Sequence, residues 1–196
     1  MLQNAARSLK TKAVFLDRDG TINREVDVLR SVSQLRILPG VPRAIGALNR
    51  LGYLVIVVTN QPVVARGWLS EKQVENIHRV LVWRLARQGA RVDAIFYCPH
   101  HPNANVKKYR LRCRCRKPKP GMITAAIKTY RIDRQKSFMV GDHAWDIMAG
   151  KAARLRTILV HTSKRSRDPV YAHIRPDFEA KHLRDAVTTI KKHAKK

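Results

Sequence analysis

Negative charge is what this sequence has least of: 14 Asp and Glu stand against 40 Lys and Arg, leaving a formal net charge of +26 over 196 residues. Ordinary solubility does not call for such a surplus, and its field draws in anions, whether phosphorylated metabolites, nucleic acid or acidic membranes. Long apolar runs are also missing. None approaches the roughly 20 residues of a membrane span, and the N-terminus lacks the apolar stretch of a secretory signal. The expectation is a cytoplasmic protein without a membrane span. Residues 1–12 carry Arg7, Lys10 and Lys12 and no acid; a frayed basic terminus is expected, with a mitochondrial transit remnant, hence the matrix, as the alternative. Cysteine is scarce, and the three present, Cys98, Cys113 and Cys115, are an odd number in one window beside His100 and His101. A closed disulfide set is excluded, and metal ligation is the better reading. Helix-turn-helix, RNP and aromatic stacking motifs are absent, which argues against a dedicated nucleic-acid module.

What is present is an alternation of strand-like and helix-like segments, long enough in total for one sizeable domain. Ala13-Val14-Phe15-Leu16 runs straight into Asp17-Arg18-Asp19-Gly20-Thr21, a buried strand whose exit carries chemistry. A long loop over 18–40 follows, then a helix opened by Pro42 and closed by Gly52. The β-branched run Tyr53–Val58 ends at Thr59-Asn60, and Ser70 with Gln73 resembles a capping box. Further strands are expected at 92–97, 137–140 and 157–160, helices at 121–130 and 144–153, a polar linker at 162–176 and a last helix from about 180. Strands alternating with helices predict an α/β fold with a doubly wound parallel sheet.

In such a sheet the ligand site lies at the carboxyl ends of the strands. Asp17 and Asp19, Thr59, and Asp142 fall there on three separate strands. Any one of them alone would be an ordinary turn former or cap; their convergence marks a site.

Asp17-Arg18-Asp19-Gly20-Thr21, Thr59-Asn60 after a strand, Lys117 in Arg-Lys-Pro-Lys-Pro-Gly-Met, and Gly141-Asp142 with Asp146 together resemble the four motifs of the haloacid dehalogenase (HAD) phosphatase superfamily. The resemblance covers about residues 12–162 and implies a Rossmann-like core and a Mg²⁺-dependent phosphatase. It implies Asp17 as the nucleophile that takes the phosphoryl group and Asp19 as general acid and base. Mg²⁺ would be held by the carboxylates of Asp17 and Asp142 and the backbone carbonyl of Asp19, with Asp146 in support. Thr59 and the Asn60 backbone would bind phosphate, Lys117 would neutralise transferring charge, and Arg116 and Arg66 would contact substrate. Lys119 is expected to be a surface charge.

A narrower resemblance lies in Cys98-Pro99-His100-His101-Pro102 followed by Cys113-Arg114-Cys115-Arg116-Lys117-Pro118. It is similar to the zinc loop of the heptose 1,7-bisphosphate phosphatases, a branch related to the histidinol phosphatases. The implied ligands of a closed, structural Zn²⁺ are Cys98, His100, Cys113 and Cys115, leaving His101 as a surface or supporting residue. Pro62-Val63 departs from the small residue and glycine more usual in the heptose branch.

The expected organisation is a basic end at 1–12, a core at 13–162 with the zinc loop at 98–115 in place of a large cap domain, and a basic linker and helix at 163–196 completing the same domain. The favoured substrate is the 7-phosphate of D-glycero-D-manno-heptose 1,7-bisphosphate, acted on by a monomer. A histidinol-phosphate phosphatase is one alternative. Docking on RNA or a ribosome is the other, because the stretch 98–120 holds eight Lys and Arg and no acid.

Overall fold

The structure is a computed structural model that describes residues 10–26 and 28–194; most of the basic stretch at 1–12, and the last two lysines, lie outside the described residues. Chain order runs β1 (Ala13–Leu16), α1 (Val41–Arg50), β2 (Leu54–Asn60), α2 (Glu71–Ala86), β3 (Ala94–Cys98), α3 (Gly121–Tyr130), β4 (Phe138–Gly141), α4 (Ala144–Ala152), β5 (Arg156–Val160), β6 (Phe178–Ala180) and α5 (Leu183–His193). All six strands pair in parallel in the order β3-β2-β1-β4-β5-β6. The doubly wound sheet expected from the alternation is therefore present.

β1 shows why it is central. Its four residues are apolar and fully buried, so it can be covered on both faces, as a parallel sheet requires. Successive side chains point to opposite faces. Val14 and Leu16 pack into one buried cluster with Ile45 and Leu48 of α1, Leu81 of α2 and Ile190 of α5. Ala13 and Phe15 pack into the other, with Ile123 and Ile127 of α3 and Ala149 of α4. Each of the Val, Leu, Ile and Phe side chains so removed from water stabilises the fold by about 1.5–3 kcal/mol.

Local signals set several boundaries. The Ser70 side chain accepts from Gln73 N while the Ser70 N–H donates to Gln73 Oε1 at 2.8 Å, the reciprocal cap expected for α2. β3 starts at Ala94 rather than at 92, because the Asp93 carboxylate accepts from Val55 N at 2.7 Å and caps the sheet from outside the ladder.

The C-terminal part departs most from expectation. A helix was expected from about 180, yet Phe178–Ala180 adds a sixth strand to β5 and the helix begins at Leu183. The linker at 162–176 folds into two short 3-10 turns, Lys164–Arg167 and Pro169–Tyr171, which lie against the carboxyl ends of the strands. The excursion between β3 and α3 is a loop with one 3-10 turn, Lys107–Tyr109. Among the described residues no helix is long and apolar enough to cross a membrane.

Candidate active site

The strand order reverses beside β1, and the side chains singled out from the sequence gather at that crevice. Asp17 leaves β1 with its N–H still bonded to Val140 O of β4 at 3.0 Å, and Asp142 leaves β4 itself. Asp146 sits in the first turn of α4, where its carboxylate accepts from the His143 N–H at 3.0 Å as a reciprocal cap. Carboxylate oxygens of Asp17, Asp142 and Asp146 lie within 4.8 Å of one another. A Cβ on Gly20 or on Gly141 would run into Asp142 or Asp146 respectively, so both positions need glycine for this approach.

One ammonium serves this group. Lys117 Nζ lies 2.8 Å from Asp17 Oδ1 and 2.6 Å from Asp146 Oδ1, and donates to Val58 O at 2.8 Å. It is buried, and although burial disfavours its charge, Asp146 and Asp17 hold it above the ordinary lysine value. The carboxylates remain under-compensated. Burial, opposed by Lys117, raises Asp17 to about 6; burial, then repulsion from Asp17 and Asp146, raises Asp142 to about 8. Crowded oxygen donors short of positive charge fit a hard divalent cation such as Mg²⁺.

The carboxylate of Asp19 stands apart from that set. It is gripped by Arg18 Nη2 at 2.7 Å, Asn23 Nδ2 at 2.9 Å and Gln61 Nε2 at 2.9 Å. Burial alone would raise its pKa, but Arg18 and these hydrogen bonds outweigh it and hold Asp19 below the ordinary value. Arg18 is itself buried and bonded to His78 Nε2 at 3.0 Å and Gln61 Oε1 at 3.1 Å. Thr59 Oγ1 accepts from the same Gln61 amide at 2.9 Å. The Asn60 side chain clamps the backbone of Lys117 from both sides, donating to its carbonyl and accepting from its N–H, each at 3.0 Å. Asn60 thus places the lysine.

These groups floor a cleft of about 420 Å³ that Arg66, Arg116 and His101 also line. Lys119 is exposed, as expected. His101 accepts from Asn103 N at 3.1 Å and faces the cleft rather than open surface. Arg116 donates to His100 O at 3.2 Å with its guanidinium over the Trp145 ring.

Several neighbours carried no sequence signal. Arg18, Gln61 and His78 read as ordinary polar residues until their burial and pairing are seen. Ser163 Oγ donates to Asp142 Oδ2, and Thr162 Oγ1 to Gly20 O, so the first residues after β5 strap the two acid-bearing turns together. Glu25 lines the cleft in an ion pair with Arg165 at 2.9 Å and is pushed up to about 7, mainly by burial.

Behind the cleft, Cys98, His100, Cys113 and Cys115 converge with all ligand atoms within 4.8 Å. The Sγ atoms are 3.1–3.4 Å apart as free thiols, and His100 Nδ1 is 3.3 Å from Cys115 Sγ. Three soft sulfurs and one imidazole nitrogen fit a closed tetrahedral Zn²⁺.

The HAD-hydrolase-like family profile matches residues 114–186. The chain is 45% identical over 154 residues to the D-glycero-beta-D-manno-heptose-1,7-bisphosphate 7-phosphatase of Pasteurella multocida, covering 78% of this chain and 83% of that protein. It is 40% identical over 186 residues to the enzyme of the same name from Salmonella typhi, covering 93% and 97%. Its fold superposes with a TM-score of 0.84 on the D,D-heptose 1,7-bisphosphate phosphatase of B. bronchiseptica complexed with magnesium and phosphate, at 31% identity over 94% of this chain and all of that one.

Proposed function

This chain belongs to the heptose-1,7-bisphosphate 7-phosphatase family of HAD-like hydrolases, and on that premise we propose that it removes the 7-phosphate of D-glycero-β-D-manno-heptose 1,7-bisphosphate through Asp17. The observation that carries the proposal is the crowding of three carboxylates, two of them paired with Lys117, at the floor of the cleft.

In this reading an Asp17 oxygen attacks phosphorus, the bond to O7 of the sugar breaks, and the departing oxygen takes a proton from Asp19. Water then attacks the phosphorus of the aspartyl phosphate, Asp19 accepts the water's proton, and inorganic phosphate leaves with Asp17 restored. The grip of Arg18, Asn23 and Gln61 fixes Asp19 and favours its carboxylate, the form needed in the second half. For the first half Asp19 must gain a proton, which the incoming anionic substrate favours. Lys117 keeps Asp17 oriented and meets charge on the transferring group. Thr59 and the Asn60 backbone receive phosphate oxygens, while Arg116 and Arg66 meet the rest of the substrate. Mg²⁺ held by Asp17, Asp142 and the Asp19 carbonyl, with Asp146 in support, would offset charge on the phosphoryl oxygens. Zn²⁺ on Cys98, His100, Cys113 and Cys115 would brace the loop that delivers Arg116 and Lys117.

The test is phosphate release from both heptose bisphosphate anomers, histidinol phosphate and simple hexose phosphates. A kcat/KM highest for the β-anomer is expected. Turnover confined to histidinol phosphate, or no release from either heptose anomer, would overturn the assignment. The RNA alternative has surface charge behind it: Lys107, Lys108, Arg110, Arg112 and Arg114 are all exposed. RNA affinity that survives physiological salt would be required to raise it.

A further inference from the structure

Beyond the phosphoryl end, the cleft carries a wall that the chemistry above does not use. Trp145 lines it from the first turn of α4, and two other rings surround the indole. His143 is edge-on at 5.0 Å between centroids and Tyr171 of the second 3-10 turn at 6.4 Å, with His143 and Tyr171 5.3 Å apart. The backbone fixes the arrangement as well: Trp145 N–H donates to His143 Nδ1 at 3.1 Å. Arg116 reaches over the same indole, 5.7 Å from its centroid, and joins the wall to the zinc-type loop. An aromatic cluster lining a polar cleft offers apolar ring surface, beside the Arg116 guanidinium, to a partly apolar ligand.

A second observation comes from a different element. Glu25, on the loop after β1, lines the same cleft; Arg165 engages its Oε1, while its Oε2 is buried without a hydrogen-bond partner among the described residues. The side chain as a whole is still 20% exposed and lines the cleft, so a ligand hydroxyl can meet its carboxylate there. A sugar supplies both needs, since it has C–H faces that lie on a ring and hydroxyls that donate.

Resting on the sugar phosphatase reading, we propose that Trp145, backed by His143 and Tyr171, together with Glu25, reads the sugar ring and selects cyclic sugar phosphates over acyclic phosphate esters. The phosphoryl group sits on Asp17, the carbon face of the ring lies on the indole, and one ring hydroxyl donates to the Glu25 carboxylate.

Two measurements test it. With Trp68 and Trp83 replaced by Phe in an Asp17→Asn background, Trp145 is the sole indole, and its emission should shift as heptose 1,7-bisphosphate saturates the protein. Unchanged emission at a saturation verified by calorimetry would overturn the proposal. In the otherwise native enzyme with Mg²⁺, Trp145→Ala should lower the ratio of kcat/KM for heptose bisphosphate to that for glycerol 3-phosphate by about tenfold, mostly through KM, as stacking energies suggest. Trp145→Phe should recover most of the ratio, and Glu25→Ala should lower it by about 2- to 10-fold, as loss of a hydrogen bond does. An equal loss on both substrates would sink the wall as a sugar reader. Wild-type enzyme that fails on heptose bisphosphate would overturn the substrate assignment instead; the wall is then judged by the same ratio with a hexose 1,6-bisphosphate.

Discussion

The carboxylate cluster at the tip of β1 and the thiol cluster at the end of β3 are made of opposite materials. Asp17, Asp142 and Asp146 are hard oxygen donors opening on a cleft, with their charge only partly answered by Lys117. Cys98, Cys113, Cys115 and His100 are soft donors that complete a set among themselves. A donor set that leaves room for substrate suits turnover, and one with four protein ligands suits bracing. The two meet through a very short tether. Cys115 closes the thiol set, and two residues later Lys117 enters the carboxylate set, clamped by Asn60. The soft cluster thus shapes a loop whose last residue serves the hard one.

The comparison breaks most visibly on the carboxylate side. Asp17→Asn should leave the far-ultraviolet circular dichroism intact and reduce phosphate release by about 10⁴-fold or more, as loss of a nucleophile does. Retained Mg²⁺-dependent release would remove Asp17 from that role. On the thiol side, Cys113→Ser should lower the zinc content from about one per chain and cost about 10- to 100-fold in activity, because the loop that positions Arg116 and Lys117 loses its brace. Metal analysis together with steady-state rates checks this; full activity without zinc would uncouple the two clusters.

The smallest effect is expected from the buried support of the acidic tip. His78 is held down at about 3, by burial first and by the neighbouring Arg18 second, against an ordinary 6.5. Between those values the unfolded chain binds a proton that the folded one does not. Stability from this site is complete above about pH 6.5 and falls as the pH drops, by about 1.4 kcal/mol per pH unit once the unfolded imidazole is charged. In His78→Gln that part of the slope should vanish. Urea unfolding at about pH 7, 6 and 5 reads it out, and parallel profiles for the two proteins would contradict the assignment.

How far these features could be read in advance depended on where their energy comes from. Asp17 and Asp142 were legible because an apolar strand that ends in an acid places it at the carboxyl edge of the sheet, whatever the rest of the chain does. A metal-binding window was legible because three cysteines beside two histidines restrict the chemistry, while the choice of His100 over His101 came from the resemblance to the zinc loop. Asp146 was expected only in support, and its place beside Asp17 and Asp142 follows from helix capping, which carries its carboxylate back over His143 N. Phe178–Ala180 offered three residues and no periodicity; it becomes a strand because β5 leaves an edge for it. Arg18, Gln61, His78 and Glu25 were invisible for a related reason. Polar side chains normally face water, and only tertiary pairing shows which have been drawn inside.

The strap from Thr162 and Ser163 to Gly20 and Asp142 also orders events in time. β1 leaves the ribosome first, yet one of its two partners, β4, begins only at Phe138, and the hydroxyls that tie down the acidic turns come after β5. A growing chain therefore carries Asp17, the proposed nucleophile, long before the surroundings that would make it reactive. Vectorial synthesis keeps the site silent until nearly the whole polypeptide has emerged, so a prematurely terminated product ending before residue 162 would be a carrier of the motif without being a catalyst.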